Sequence, residues 1–240
     1  MDQIIASAPA ARHAVEAQRD RALQNVDEMI RLGNVPAECT SAGMSRDEMA
    51  AIYLYTGEWN PTNCSIYRLL NAALASRSPE TVDPYEPYKD LLLQAMSKMR
   101  KGEPVFRAVS GDWSKEYEDA AAANLSVEWP RFSSCSFTQA KALEFIDDHN
   151  VATIFTITLT TSRGRNIKTL SFHMNEDEVL LPPNLLFGVR GVGRLDRFVF
   201  VQLAEIVPTA PSQTSFGGRS YTALFGRPDD AFGAAENARL

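Results

Sequence analysis

The chain has 240 residues, is 45% hydrophobic and 22% charged, and carries a formal net charge of −6. This is the balance of a soluble globular protein with a sizeable core, either one large domain or one domain with a helical extension. The acidic excess argues against a dedicated binder of nucleic acid or anionic membrane, and no apolar stretch approaches the roughly 18 residues of a membrane span.

The N-terminus, MDQIIASAPAARHA, has neither a basic n-region nor an apolar h-region, which argues against a classical secretory signal. Residues 11–32 are rich in Ala, Gln, Arg and Glu and predict a helix, stopped by Gly33 and Asn34. A second helix starts at SRDEMAAIYLY, where Ser45 and Glu48 stand in capping-box spacing. Further helices are expected near 63–77 and 87–101, with Pro79, Pro84 and Pro87 marking the loop between them.

After Pro104 the texture changes. PVFRAVS, RFSSCSF, VATIFTITLT, NIKTLSF, EVLLP, NLLFGVRGV and RFVFVQLAEIV are short runs rich in Val, Phe, Ile and Thr and predict strands. Residues 114–124 and TQAKALEFIDD interrupt them as helices. From Pro208 the tail is rich in Gly, Pro, Ser and Ala and is expected to be irregular. The chain thus divides into a helical extension or leader at 1–40, a main domain at 41–207 and a tail at 208–240. The fold class is α+β, a helical front followed by a mainly antiparallel β half.

Several features are weaker candidates. Cys39, Cys64 and Cys135 are odd in number and far apart, which gives neither a disulfide framework nor a metal pattern and fits a reducing compartment. Cys135 as a nucleophile lacks an identifiable histidine partner. His13, His149 and His173 are not spaced as a metal site, and GVGR at 191–194 lacks the third glycine and following helix of a dinucleotide loop.

Three features remain. Period two puts Arg107 on the strand face of Val105 and Val109, a poor place for a charge without an anionic partner; the alternative is a strand-end arginine that reaches solvent. Ser134 and Ser136 share one face of a strand leading into a helix, where small hydroxyls can line a pocket; alternatively Ser136 or Thr138 caps that helix. Glu176 and Glu178 in NEDEVLLPP would face the same way about 7 Å apart on a strand over 177–182, placing two carboxylates at one site. The alternative is a solvated turn, since Asn175, Glu176 and Asp177 all favour turns.

Taken in order, Arg107, then Ser134 and Ser136, then Glu176 and Glu178 resemble the mono-ADP-ribosyltransferases of the Arg-Ser-Glu class. The resemblance spans about residues 45–207 and takes in AIYLYTGEWNPTNCSIYRLLNAAL, PVFRAVS, FSSCSFTQAKALEF and TLSFHMNEDEVLLPPNLLFGV. One departure is Cys135, which stands where the family's Ser-Thr-Ser has its threonine, on the face opposite the two serines.

The resemblance implies the family's split β-sandwich with an N-terminal helical part, and NAD as substrate with no metal. It implies that Arg107 holds the NAD phosphates and that the backbone of Ala108 meets the nicotinamide amide. Ser134 would orient Glu178, with Ser136 and Phe172 also lining the NAD site. Glu178 would bond the ribose hydroxyl and stabilise an oxocarbenium-like charge, and Glu176 would take the proton of an acceptor guanidinium, making the enzyme arginine-directed. The partner would be a protein carrying that arginine and the enzyme a monomer; the lack of a classical signal in the unusual leader points to a secreted bacterial effector acting inside another cell, or otherwise to the cytoplasm. Two alternatives stay open: an NAD glycohydrolase with water as acceptor, and an inactive module that uses the cleft to bind a partner.

Overall fold

The computed structural model describes residues 9–59, 64–103, 105–146, 150–161, 163–173 and 177–207. Glu176, the leader before residue 9 and the tail from residue 208 lie outside them. The elements in chain order are α1 (Pro9–Arg31), α2 (Ala37–Ser41), α3 (Arg46–Thr56), α4 (Ile66–Ser76), α5 (Pro79–Val82) and α6 (Glu86–Lys98). There follow β1 (Val105–Ser110), α7 (Ser114–Ala122), β2 (Ser126–Trp129), β3 (Ser133–Ser136), α8 (Gln139–Leu143) and β4 (Ala152–Thr158). The chain continues with β5 (Arg165–Asn166), β6 (Glu178–Leu181), β7 (Leu185–Leu195) and β8 (Phe198–Ile206). The architecture is the expected α+β. It forms two compact units, Met1–Arg100 with Arg165–Glu178, and Lys101–Gly164 with Val179–Leu240.

The first unit is built on α3. Its start is the capping box expected from sequence: Ser45 Oγ accepts from the Glu48 amide at 3.2 Å, and the Ser45 amide donates to Glu48 Oε2 at 2.6 Å. The buried Glu48 carboxylate also pairs with Lys98 Nζ at 2.7 Å, so its charge has a partner. α1 and α6 pack against α3, burying Val15, Ala22 and Val26 on α1 and Tyr88, Leu92 and Met96 on α6. The Tyr88 hydroxyl donates to the Ala51 carbonyl at 2.9 Å. α1 stops where Gly33 enters the left-handed region at φ 68°. The Gly33 amide then bonds Ile30 O at 3.1 Å and the Asn34 amide bonds Met29 O at 2.9 Å, a Schellman close.

The second unit is a mixed sheet in the order β2-β7-β8-β4-β1-β3-β6. β1 pairs antiparallel with β4 and β3, and β7 with β2 and β8. β4 and β8 run parallel, with Phe155 opposite Val201. The core packs Trp129 against Phe155 and Phe187 at ring-centroid distances of 5.4 and 5.0 Å, with Tyr117 on Phe155 at 5.1 Å. The Trp129 Nε1 proton goes to the Tyr117 hydroxyl at 3.2 Å, so neither buried aromatic loses its polar end.

Three expectations need correction. NIKTLSF is not a strand: it holds only Asn166, the second residue of β5, and a 3-10 turn at Lys168–Leu170. Asn166 Oδ1 accepts the Lys168 amide at 3.1 Å, a side-chain turn that diverts the backbone from the sheet. The proline-marked segment is not all loop, because α5 and a 3-10 turn at Asp83–Tyr85 occupy it, with Pro79 and Pro84 tolerated as first-turn residues. Within TQAKALEFIDD the helix runs from Gln139 to Leu143 and does not include 144–146, Asp147 and Asp148 lie outside the described residues, and Thr138 is the N-cap, accepting the Lys141 amide at 3.2 Å. That leaves Ser136 in β3 rather than at a helix start.

Candidate functional site

The second unit brings Arg107 and Ser134 together. Val105 and Val109 are buried, and Arg107 between them on the same face of β1 is half-buried. One terminal nitrogen of its guanidinium donates to the backbone carbonyl of Ser134 on β3. The strands are in register through Phe106 opposite Ser136, and Ala108 follows Arg107 on β1. Ser134 is exposed whereas Cys135 and Ser136 are buried. Cys135 contributes to the hydrophobic core, so the residue that departs from Ser-Thr-Ser is a packing residue here.

A second guanidinium, that of Arg131, lies at the approach to β3. Burial lowers its pKa, and the charge of Arg107 lowers it further. Burial also pushes the Tyr117 hydroxyl up, against the opposing effects of the Trp129 bond and the Arg107 charge. Two mutually repelling cations in a partly buried setting suit an anionic ligand with several oxygens. Arg131 was missed in the sequence because nothing in its local pattern separates it from a strand-flanking arginine.

The first unit holds Glu178 and Phe172. Glu178 is the first residue of β6 and only 8% exposed. Ser171 Oγ donates to Glu178 Oε2 at 3.2 Å and accepts the His173 amide at 3.2 Å. Phe172 is 36% exposed. Its ring leans on Tyr53, Trp59 and His173 at 5.5, 5.6 and 5.0 Å, and its amide donates to Thr56 Oγ1 at 2.8 Å. Trp59 reaches this cluster by lying over Gly57, where a Cβ would come within 2.2 Å of Trp59 Nε1. Ser171 and Thr56 were not found in the sequence: Ser171 is seven residues from Glu178 and Thr56 far from both, so no short motif links them.

Among the described residues no group of three or more His, Cys, Asp or Glu side chains could hold a metal ion. Among them, too, no helix is long and apolar enough to cross a membrane.

The family model for NAD:arginine ADP-ribosyltransferase matches residues 10–210, and the chain belongs to that family. A search of curated proteins gives no match. Among solved structures the chain is similar to the ADP-ribosyltransferase HopU1 of Pseudomonas syringae pv. tomato DC3000, with a TM-score of 0.63, 18% identity, and coverage of 85% of this chain and 100% of that one. It is similar to the ADP-ribosyltransferase Vis of Vibrio splendidus in complex with agmatine, with a TM-score of 0.52, 16% identity, and coverage of 89% and 94%. It is also similar to the type III effector XopAI of Xanthomonas axonopodis pv. citri, with a TM-score of 0.52, 16% identity, and coverage of 84% of each chain. At such identities the likeness is one of fold, and it agrees with the ADP-ribosyltransferase fold expected from the sequence.

Proposed function

We propose that this NAD-dependent mono-ADP-ribosyltransferase transfers ADP-ribose to an arginine side chain of a protein and releases nicotinamide. The observation that carries the reading is the Arg107 guanidinium bonded to the Ser134 carbonyl, which joins the arginine of β1 to the serine strand β3 in a chain of this family. In this reading Arg107 grips the NAD phosphates, with Arg131 adding positive potential, and the Ala108 backbone, Ser136 and Phe172 complete the NAD contacts.

The bond between ribose C1′ and the nicotinamide nitrogen breaks, and its electron pair leaves with nicotinamide. Glu178 bonds a ribose hydroxyl and stabilises the oxocarbenium-like charge left behind, an interaction stronger in the transition state than in the ground state. A guanidinium nitrogen attacks C1′ and gives up a proton to Glu176, because a protonated guanidinium is a poor nucleophile. The NAD:arginine description of the family and the agmatine bound by Vis, itself a guanidinium compound, support arginine as acceptor.

The catalytic domain in this reading covers residues 41–207, and the enzyme acts as a monomer on a partner protein. We propose that it is an effector acting inside another cell; XopAI, to which the chain is similar in fold, is a type III effector. Nicotinamide release and agmatine labelling, measured side by side on wild type and Glu176→Gln, test the acceptor assignment. The mutant should lose labelling and keep much of its slow NAD hydrolysis. Equal loss in both assays would make Glu176 a shaping residue of its loop, and no loss in either would make it a turn residue. Wild type that releases nicotinamide but labels nothing would be an NAD glycohydrolase, and wild type that does neither would be a binding module.

A further inference from the structure

We propose that Ser171 is a positioning residue for Glu178, fixing the plane of its carboxylate through one oxygen. The inference rests on the reading of Glu178 as the group that stabilises the cationic transition state.

The geometry sets the direction of the bond. Ser171 is 2% exposed, and its hydroxyl accepts the His173 amide at 3.2 Å. A serine hydroxyl carries one proton, and accepting the amide occupies a lone pair, so the proton is directed at Glu178 Oε2, 3.2 Å away. Glu178 itself is 8% exposed. A buried carboxylate bonded at one oxygen has its rotation about the terminal bond restricted, and that torsion is otherwise broad.

The backbone bearing Ser171 is itself held within the first unit. Thr169 Oγ1 bonds Glu38 Oε1 of α2 at 2.5 Å, and Arg100 Nε holds the other oxygen of that carboxylate at 3.0 Å. The Phe172 amide is held by Thr56 Oγ1 at 2.8 Å, at the end of α3. Lys168 Nζ meets Asp177 Oδ1 at 2.6 Å, and the Ile167 amide donates to the Glu178 carbonyl at 3.1 Å. Ser171 therefore presents its hydroxyl from a backbone clamped on both sides, the arrangement that a precisely placed catalytic group needs.

Steady-state nicotinamide release by wild type, Ser171→Ala, Ser171→Thr, Glu178→Gln and the Ser171→Ala/Glu178→Gln double variant tests the assignment, with a melting curve for each. Ser171→Ala should lower kcat by about 10- to 100-fold, the scale of a lost hydrogen bond to a charged group, with KM for NAD little changed. Ser171→Thr keeps the hydroxyl and should recover most of the rate. In the Glu178→Gln background the alanine substitution should have no further effect, because Ser171 acts only through the carboxylate. Wild-type kcat in Ser171→Ala, or the same loss in both backgrounds, would overturn the proposal. Wild-type release by Glu178→Gln would instead remove the role of Glu178, and the positioning role would go with it.

Discussion

Arg107 donates through its guanidinium to the backbone carbonyl of Ser134. A carbonyl is a neutral acceptor, so the contact orients the fork without cancelling its charge. Arg107→Lys keeps the charge and shortens the reach but loses the planar fork that matches paired phosphate oxygens. NAD should bind about 10-fold or more weakly, given roughly 1.5–3 kcal/mol for a hydrogen bond to a charged group. The melting temperature should stay near wild type, since Arg107 lies outside the core. Titration calorimetry with NAD decides: an unchanged Kd would reduce Arg107 to a strand residue.

Glu178→Gln is nearly isosteric at a position that is 8% exposed, so the fold should survive it. Removing one preorganised electrostatic element from a transition state typically costs about 10²–10³ in rate. Both transfer and NAD hydrolysis should fall by that factor, because bond cleavage precedes the choice of acceptor. Near-normal nicotinamide release would take the cation-stabilising role away from this residue.

How far the sequence could be read depends on whether a signal is local. The Ser45–Glu48 box and the Gly33 stop were legible because each needs only neighbours within one helical turn. The strands of β1, β4, β6, β7 and β8 were legible from β-branched and aromatic runs. β2 was not, since a charged residue separates the two large apolar residues of SVEW, which is held by pairing with Leu185–Gly188 of β7. The parallel pairing of β4 with β8 is likewise a tertiary fact with no trace in either run. NIKTLSF looked like a strand because Ile167 and Leu170 are apolar, yet Ile167 is buried just before a 3-10 turn and Leu170 within it. In the site, Arg107 and Ser134 could be named because each sits in a short pattern. Ser171 is tied to Glu178 by a side-chain bond that no short pattern announces.

Glu205 clamps the loop after β4. Its carboxylate accepts the amides of Thr160 and Thr161, each at 2.9 Å, the Thr161 hydroxyl at 2.7 Å, and the Arg163 guanidinium at 2.7 Å. Burial alone would raise its pKa, but the Thr161 amide and hydroxyl and Arg163 outweigh burial and lower it. A folded pKa below the unfolded one means stability that is complete above the ordinary carboxylate pKa and lost as pH falls through the depressed value. Arg163 is 40% exposed, so the ion pair itself counts for little and the amides carry the clamp. Glu205→Gln should cost about 1–3 kcal/mol at pH 7 by leaving buried donors poorly matched. It should also flatten the loss of stability as pH falls below the ordinary carboxylate value of about 4.5, where the unfolded wild-type chain binds this proton and the folded one does not. Urea unfolding from pH 7 to pH 3 on both proteins checks it, and parallel pH curves would refute the linkage.

The cysteines give a prediction that bears on mechanism. Cys39 is 1% exposed and Cys135 4%, whereas Cys64 is only half-buried. Burial foremost, and the charge of Glu38 next, push the Cys39 thiol up to about 11, so it holds almost no thiolate at neutral pH. Cys135 faces the core of the second unit, with Sγ 3.8 Å from the Ser133 carbonyl. A thiol reagent at pH 8 should therefore label Cys64 first and reach Cys39 and Cys135 only on unfolding, and Cys64→Ser should abolish the fast phase. If Cys135 is a packing residue, Cys135→Ala should cost stability through a small cavity and leave nicotinamide release per folded molecule near wild type. Fast labelling of Cys135 together with loss of NAD cleavage in Cys135→Ala would revive it as a nucleophile. That result would count against the assignment of bond cleavage to Glu178.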